Sequence, residues 1–179
     1  MLWATRHTIR VNRTATAWLV RRFIDPAAEF CFVEPDAVKG LQLSRGAIGF
    51  DAPGARYPHQ DARGRCSFEA MVDELFPTNP ALRELARIVH SADFPRATPG
   101  RRAPWLAGAF DRLTLGGPAA PTQAAAPAMV PAAAGVRAIS QGFPLVASGD
   151  QEIVLRSAFL YDALYASIQA SLPRPFTLT

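Results

Sequence analysis

Apolar residues recur at two periods along this chain. In Glu29–Glu34, Phe30 and Phe32 alternate with Cys31 and Val33, the two-residue period of a strand. Trp3 to Val11 alternates more loosely and predicts a second strand. Gly46 to Asp51 predicts a short third one, closing on the turn Asp51-Ala-Pro-Gly54. Elsewhere the spacing is helical. Thr14 is placed as the N-cap of a helix running to Ile24, with Pro26 stopping it. Phe68, Met71, Val72 and Leu75 form the stripe of a helix over 66–76. Asn79-Pro80 opens another over 80–92, whose core face is Leu82, Leu85, Ala86 and Val89. Val154, Ala158, Tyr161, Tyr165 and Ile168 step along a final helix over 151–170, preceded by the capping-box pattern of Ser148 and Gln151. The pattern predicts an α+β fold: a helix-rich single domain over 1–179, with a small β-sheet from 3–11, 29–34 and 47–51.

One segment breaks this order. Residues 94–135 hold seven prolines, a Gly-Gly pair and an alanine-rich tract, with Asp111 as the only acid. This reads as a Pro/Ala-rich insertion, with 114–131 exposed and mobile because it lacks large apolar groups. The composition of the whole 179-residue chain, 49% hydrophobic and 19% charged, is that of a globular domain. No apolar run approaches the roughly 20 residues that span a bilayer, and Met1 to Arg10 lacks the core of a signal peptide. The expected setting is the cytoplasm, where Cys31 and Cys66 stay reduced.

Charge then singles out the N-terminus. Five arginines and His7 precede the first acid, Asp25. Arg6, Arg21 and Arg22, with Trp18 as an aromatic wall, form a candidate anion-binding group, because guanidinium offers planar, permanently charged donors to oxyanions. The competing reading is that these arginines pair with acids elsewhere in the fold. A second constellation concerns metal. His59 follows the Pro-Gly turn, Glu69 lies three residues after Cys66 on one helix face, and Asp93 lies three after His90. His59, Glu69, Asp93 and the strand-end Glu34 make a nitrogen–oxygen donor set for a divalent transition metal of unspecified identity. Against it stand a loop histidine bonded to backbone and a helix-end Asp93 paired with Arg87 or Arg96. Asp162, on the last helix, calls for an arginine partner from the N-terminal cluster. Nothing resembles a phosphate-binding glycine loop or a catalytic triad.

The stretches Trp3-Ala-Thr-Arg6, Trp18 to Asp25, Ala28 to Val33, Gly49-Phe-Asp-Ala-Pro-Gly54, Cys66-Ser-Phe-Glu69, Ile88 to Asp93 and Leu160 to Tyr165 together resemble the C-terminal domain of the chromate-resistance protein ChrB. The resemblance implies a bacterial protein of chromate stress response. The expected role is a small oxyanion- or metal-responsive binding domain, with chromate or sulfate as partner. A metal-dependent redox or hydrolytic enzyme using the same His/Glu/Asp site is one alternative. A DNA-associated regulator is another, which the absence of a helix-turn-helix signature disfavours. The family tends to carry Asp, Cys and His where this chain has Asn12, Thr16 and Gln151.

Overall fold

The computed structural model describes residues 1–94 and 130–173; most of the insertion, including 114–129, lies outside the described residues. The fold is α+β. Strand β1 (Leu2–Arg6) leads to helix α1 (Val11–Leu19), which continues through a π-helical turn, Val20–Ile24. Strand β2 (Glu29–Val33), helix α2 (Ala37–Arg45) and strand β3 (Ile48–Gly49) follow. The rest is helical: α3 (Ser67–Leu75), α4 (Pro80–Asp93), α5 (Pro131–Val146) and α6 (Asp150–Ser171).

The three strands are parallel in the order β2-β1-β3, with Trp3 opposite both Phe30 and Ile48. Strand alternation sorts the two faces. Trp3, Phe30 and Phe32 join the main core with α1, α3, α4 and α6, whereas Ala4, Val33 and Leu2 pack against Val38 and Leu41 of α2. Gly49 makes the close approach of α2 to β3 feasible. A Cβ there would meet Gln42 Oε1 at 2.5 Å and Val38 Cγ1 at 2.9 Å. Gln42 instead accepts from the Gly49 and Arg56 amides and donates to the Gly54 carbonyl, fixing the chain that leaves β3.

Local chemistry explains most boundaries. The Asn79 side chain accepts from the Leu82 amide, and Pro80 follows at the first helical position. Gly46, at φ 62°, ends α2 in the left-handed region. Other expectations need correction. β1 stops at Arg6, because Thr8 takes φ 61° and the chain turns into α1 at Val11. Thr14 therefore lies inside α1, and its hydroxyl bonds the Arg10 and Val11 carbonyls. Ser148 and Gln151 do not form a capping box. Ser148 bonds Glu152, while Gln151 donates to the Phe30 carbonyl. Helix α5 begins at Pro131, so the last residues assigned to the insertion are helical.

The last helix closes the domain onto its start. The Tyr161 hydroxyl, fully buried, donates to the Val11 carbonyl at 3.0 Å and pairs with Thr14 Oγ1 at 2.7 Å. Asp150 accepts from the Thr8 and Ile9 amides at 2.8 and 2.9 Å. Chemical denaturation should register this core. Leu85→Ala, at a fully buried position, is expected to cost about 2–5 kcal/mol. Tyr161→Phe, which loses only the hydroxyl, is expected to cost about 1 kcal/mol.

Candidate functional site

In a parallel sheet of order β2-β1-β3 the chain reverses direction across the sheet between β1 and β3. Side chains from the carboxyl ends of those two strands meet there, which is where open sheets of this kind bind ligands. Arg6 ends β1, and Asp51 follows β3 by two residues. Together with Arg10, Arg13, Asn12 and Asp93 they line a cavity of about 410 Å³.

Asp51 is the hub. It is buried, at φ 51°, and its amide is tied to the Tyr57 carbonyl at 2.8 Å. Its Oδ1 accepts from Asn12 Nδ2 at 2.9 Å and pairs with His59 Nδ1 at 2.5 Å. Its Oδ2 accepts from Arg13 Nη1 at 2.7 Å and faces Arg6 Nη2 at 3.5 Å. Arg13, also buried, sends Nη2 to the Thr8 carbonyl at 2.6 Å. Thr8 and Asp51 are the two non-glycine residues with positive φ among those described, and both line the cavity. Such backbone costs roughly 1–3 kcal/mol per residue and persists where surrounding contacts over-determine it.

His59 is held by the pairing around it. Bridges between Phe50 and Tyr57 and between Gln60 and Cys66 bracket it, turning its ring onto Asp51. Its Nδ1 also lies 3.7 Å from Asp93 Oδ2, a buried oxygen with no hydrogen-bond partner among the described residues. Electrostatics follow from these contacts. The hydrogen bond to Asp51 raises His59 above the ordinary imidazole range despite partial burial. Burial pushes the Asp51 carboxyl up, but His59, Arg13 and Arg6 outweigh it and hold it below the usual range. Burial and the negative Asp51 raise Asp93. Asp51, His59 and Asp93 bring one donor atom each within 4.8 Å of one another.

A second cluster adjoins the first. Cys66 occupies the N-cap of α3, where its side chain accepts from the Glu69 amide and Glu69 Oε2 accepts from the Cys66 amide at 3.0 Å. The same Oε2 lies 2.5 Å from His90 Nδ1 on α4. Burial raises the Cys66 thiol far above its usual range. Cys66, Glu69 and His90 also bring their donor atoms within 4.8 Å. The Phe94 ring stands between the clusters, 4.9 Å from His59 and 5.0 Å from His90.

The structure thus divides the residues singled out in the sequence. His59 and Asp93 come together with Asp51, and Arg6 lies beside them. Glu69 faces His90 instead, and Glu34 pairs with His7 at 2.9 Å on the surface. Arg21 lies over the Phe30 ring, while Arg22 and Trp18 Nε1 both engage Asp162. These three residues do not reach the cavity, because the helix face carrying Trp18 packs on Tyr161 and Tyr165. Arg87 pairs with Glu84 rather than with Asp93, and Arg96, the other proposed partner of Asp93, lies outside the described residues. Asn12, Arg13 and Asp51 were not picked out as site residues. Asp51 carried a signal, since it directly follows a strand, but its Pro-Gly neighbours read as a turn.

The family described as ChrB, C-terminal domain, matches residues 3–115. This chain belongs to that family. It is 37% identical over 115 residues to Protein ChrB of Cupriavidus metallidurans, an alignment covering 62% of this chain and 34% of that protein. The chain therefore spans about a third of the length of this curated ChrB relative. No solved structure matches. All six donors of the two clusters fall inside the span matched by the ChrB C-terminal domain, and α5 and α6 fall outside it. No helix among the described residues is long and apolar enough to cross a membrane.

A pH titration of stability tests the reading of Asp93. Its folded-state carboxyl is raised, so it opposes folding once pH climbs through that raised value, and the penalty vanishes below the unfolded carboxyl range. Metal-free Asp93→Asn should melt above wild type at pH 7, with the gap closing towards pH 4. Equal melting curves across that range would contradict the assignment.

Proposed function

We propose that this ChrB C-terminal domain serves chromate resistance as a metal- and oxyanion-binding module. Asp51, His59 and Asp93 take a divalent transition metal, and the adjoining basic pocket takes a small tetrahedral oxyanion such as chromate or sulfate. The observation that carries the metal half is the buried Asp93 Oδ2, without a hydrogen-bond partner among the described residues and facing His59 and Asp51. A buried carboxylate oxygen without a donor calls for a cation. Two carboxylates and an imidazole suit manganese, iron or zinc, and three protein ligands leave positions open.

The anion half rests on Arg6, Arg10 and Arg13 around the cavity. Arg13 is 7% exposed and its Nε, also buried, has no acceptor among the described residues. Helix α1 opens on the same side, with no side-chain cap and no acid in its first turn, so its N-terminal amides favour negative charge. The strained backbone at Thr8 and Asp51 supports a second reading, a metal-dependent enzyme whose substrate completes the coordination sphere. Turnover of a bound oxyanion would separate it from simple binding.

Metal content after equilibration with manganese, ferrous iron or zinc tests the proposal. Wild type should retain a stoichiometric ion resistant to desalting, and Asp93→Asn should lose it. Chromate or sulfate should raise the melting temperature of wild type and have little effect on Arg6→Gln. Retention of metal by Asp93→Asn would defeat the assigned ligand set.

Asn12 offers a sharper test. It is buried, donates to Asp51, and accepts from Ser67 Oγ and the Phe68 amide. Asn12→Asp would set a second carboxylate against Asp51. Without metal it should lose on the order of 3 kcal/mol of stability. Added metal should restore much of that loss, and a metal-independent loss would count against a cation at this point.

A further inference from the structure

We infer that Cys66, Glu69 and His90 form a second, separate cation site of zinc type, outside the Asp51–His59–Asp93 centre and requiring none of its residues. Thiolate, carboxylate and imidazole are together the donors of zinc and its mimic cobalt, whereas the first centre has no sulfur. Tetrahedral coordination holds ligand atoms about 3–4 Å apart, and these three donors already lie within 4.8 Å of one another.

Helix capping alone does not account for the arrangement. Serine, threonine, aspartate and asparagine are the effective N-caps, yet a cysteine stands at this one, fully buried. Glu69 makes both of its contacts through Oε2, which leaves Oε1 without a hydrogen-bond partner among the described residues. Among the described residues His90 bonds through Nδ1 alone, and its ring and Glu69 are both part-exposed, so an ion can enter from their side. Three elements converge here: the loop ending at Cys66, the first turn of α3 and the last turn of α4. Ion binding would replace the Cys66 S–H proton, releasing it to solvent, and insert the cation between His90 and Glu69.

Titration of the full chain with cobalt(II) alone tests this, read by the near-ultraviolet thiolate-to-cobalt charge-transfer band. Wild type should develop the band at stoichiometric cobalt. Cys66→Ser should abolish it, and His90→Gln should weaken cobalt binding at least about 10-fold. Cys31→Ser, on β2, and Asp93→Asn should keep the band. Because the readout is specific to sulfur, failure of the Asp51 centre leaves the band in place, and failure of this site leaves manganese binding at Asp51 intact. Absence of the band in wild type, or its persistence at full affinity in His90→Gln, would overturn the inference. Loss of the band in a folded Asp93→Asn variant would also overturn it, by showing a single shared centre. If Cys66→Ser fails to fold, His90→Gln decides, since that side chain is 35% exposed.

Discussion

The buried pair between Arg13 and Asp51 is the constraint on which the site depends. One guanidinium nitrogen holds the Asp51 carboxylate and another holds the Thr8 carbonyl, so a single side chain ties together the ends of β1 and β3. A buried pair of this kind adds little net stability, because desolvation offsets attraction. Its contribution is positional. It keeps two backbone segments in left-handed conformations, and through Asp51 it fixes Asn12 and His59. Asn12 in turn reaches the start of α3, beside Cys66. Both clusters are therefore referenced to one ion pair.

Asn12, Thr16 and Gln151 take distinct places around that pair. Asn12 and Thr16 lie one turn apart on α1, and both side chains face Ser67 at the head of α3. Gln151 lies apart from the clusters, bonding the carbonyl of Phe30. Asn12 and Thr16 thus fall at the seam between the clusters, while Gln151 anchors α6 to the sheet.

Sequence legibility followed how much of an element's character is periodic. Helices α4 and α6 could be read because their apolar stripes bury Leu82, Leu85, Val89, Val154 and Tyr161 at helical spacing. Helix α2 could not, because Val38 is its only buried residue and Gly40 interrupts it. The residues of the site were legible as chemical types but not as partners. His59 and Asp93 lie 34 positions apart in the chain and meet only because the loop after β3 reaches the end of α4. Arg21 and Arg22 looked more anion-ready than Arg13, yet the π-helical turn sends them to Phe30 and to Asp162. Local pattern carries no information about which of five arginines the sheet edge will claim.

The capture of Asp150 by the amides of Thr8 and Ile9 spans 142 residues of chain. A ribosome delivers Asp150 long after Thr8, and such distant closures are slow to form. The loop beside the Arg13–Asp51 pair therefore stays without its clamp until Asp150 is made, although Arg6, Arg13 and Asp51 precede it by about a hundred residues or more. The arginines and Asp51 of the pocket precede the residue that clamps its loop, so its first competent form coincides with the docking of α6.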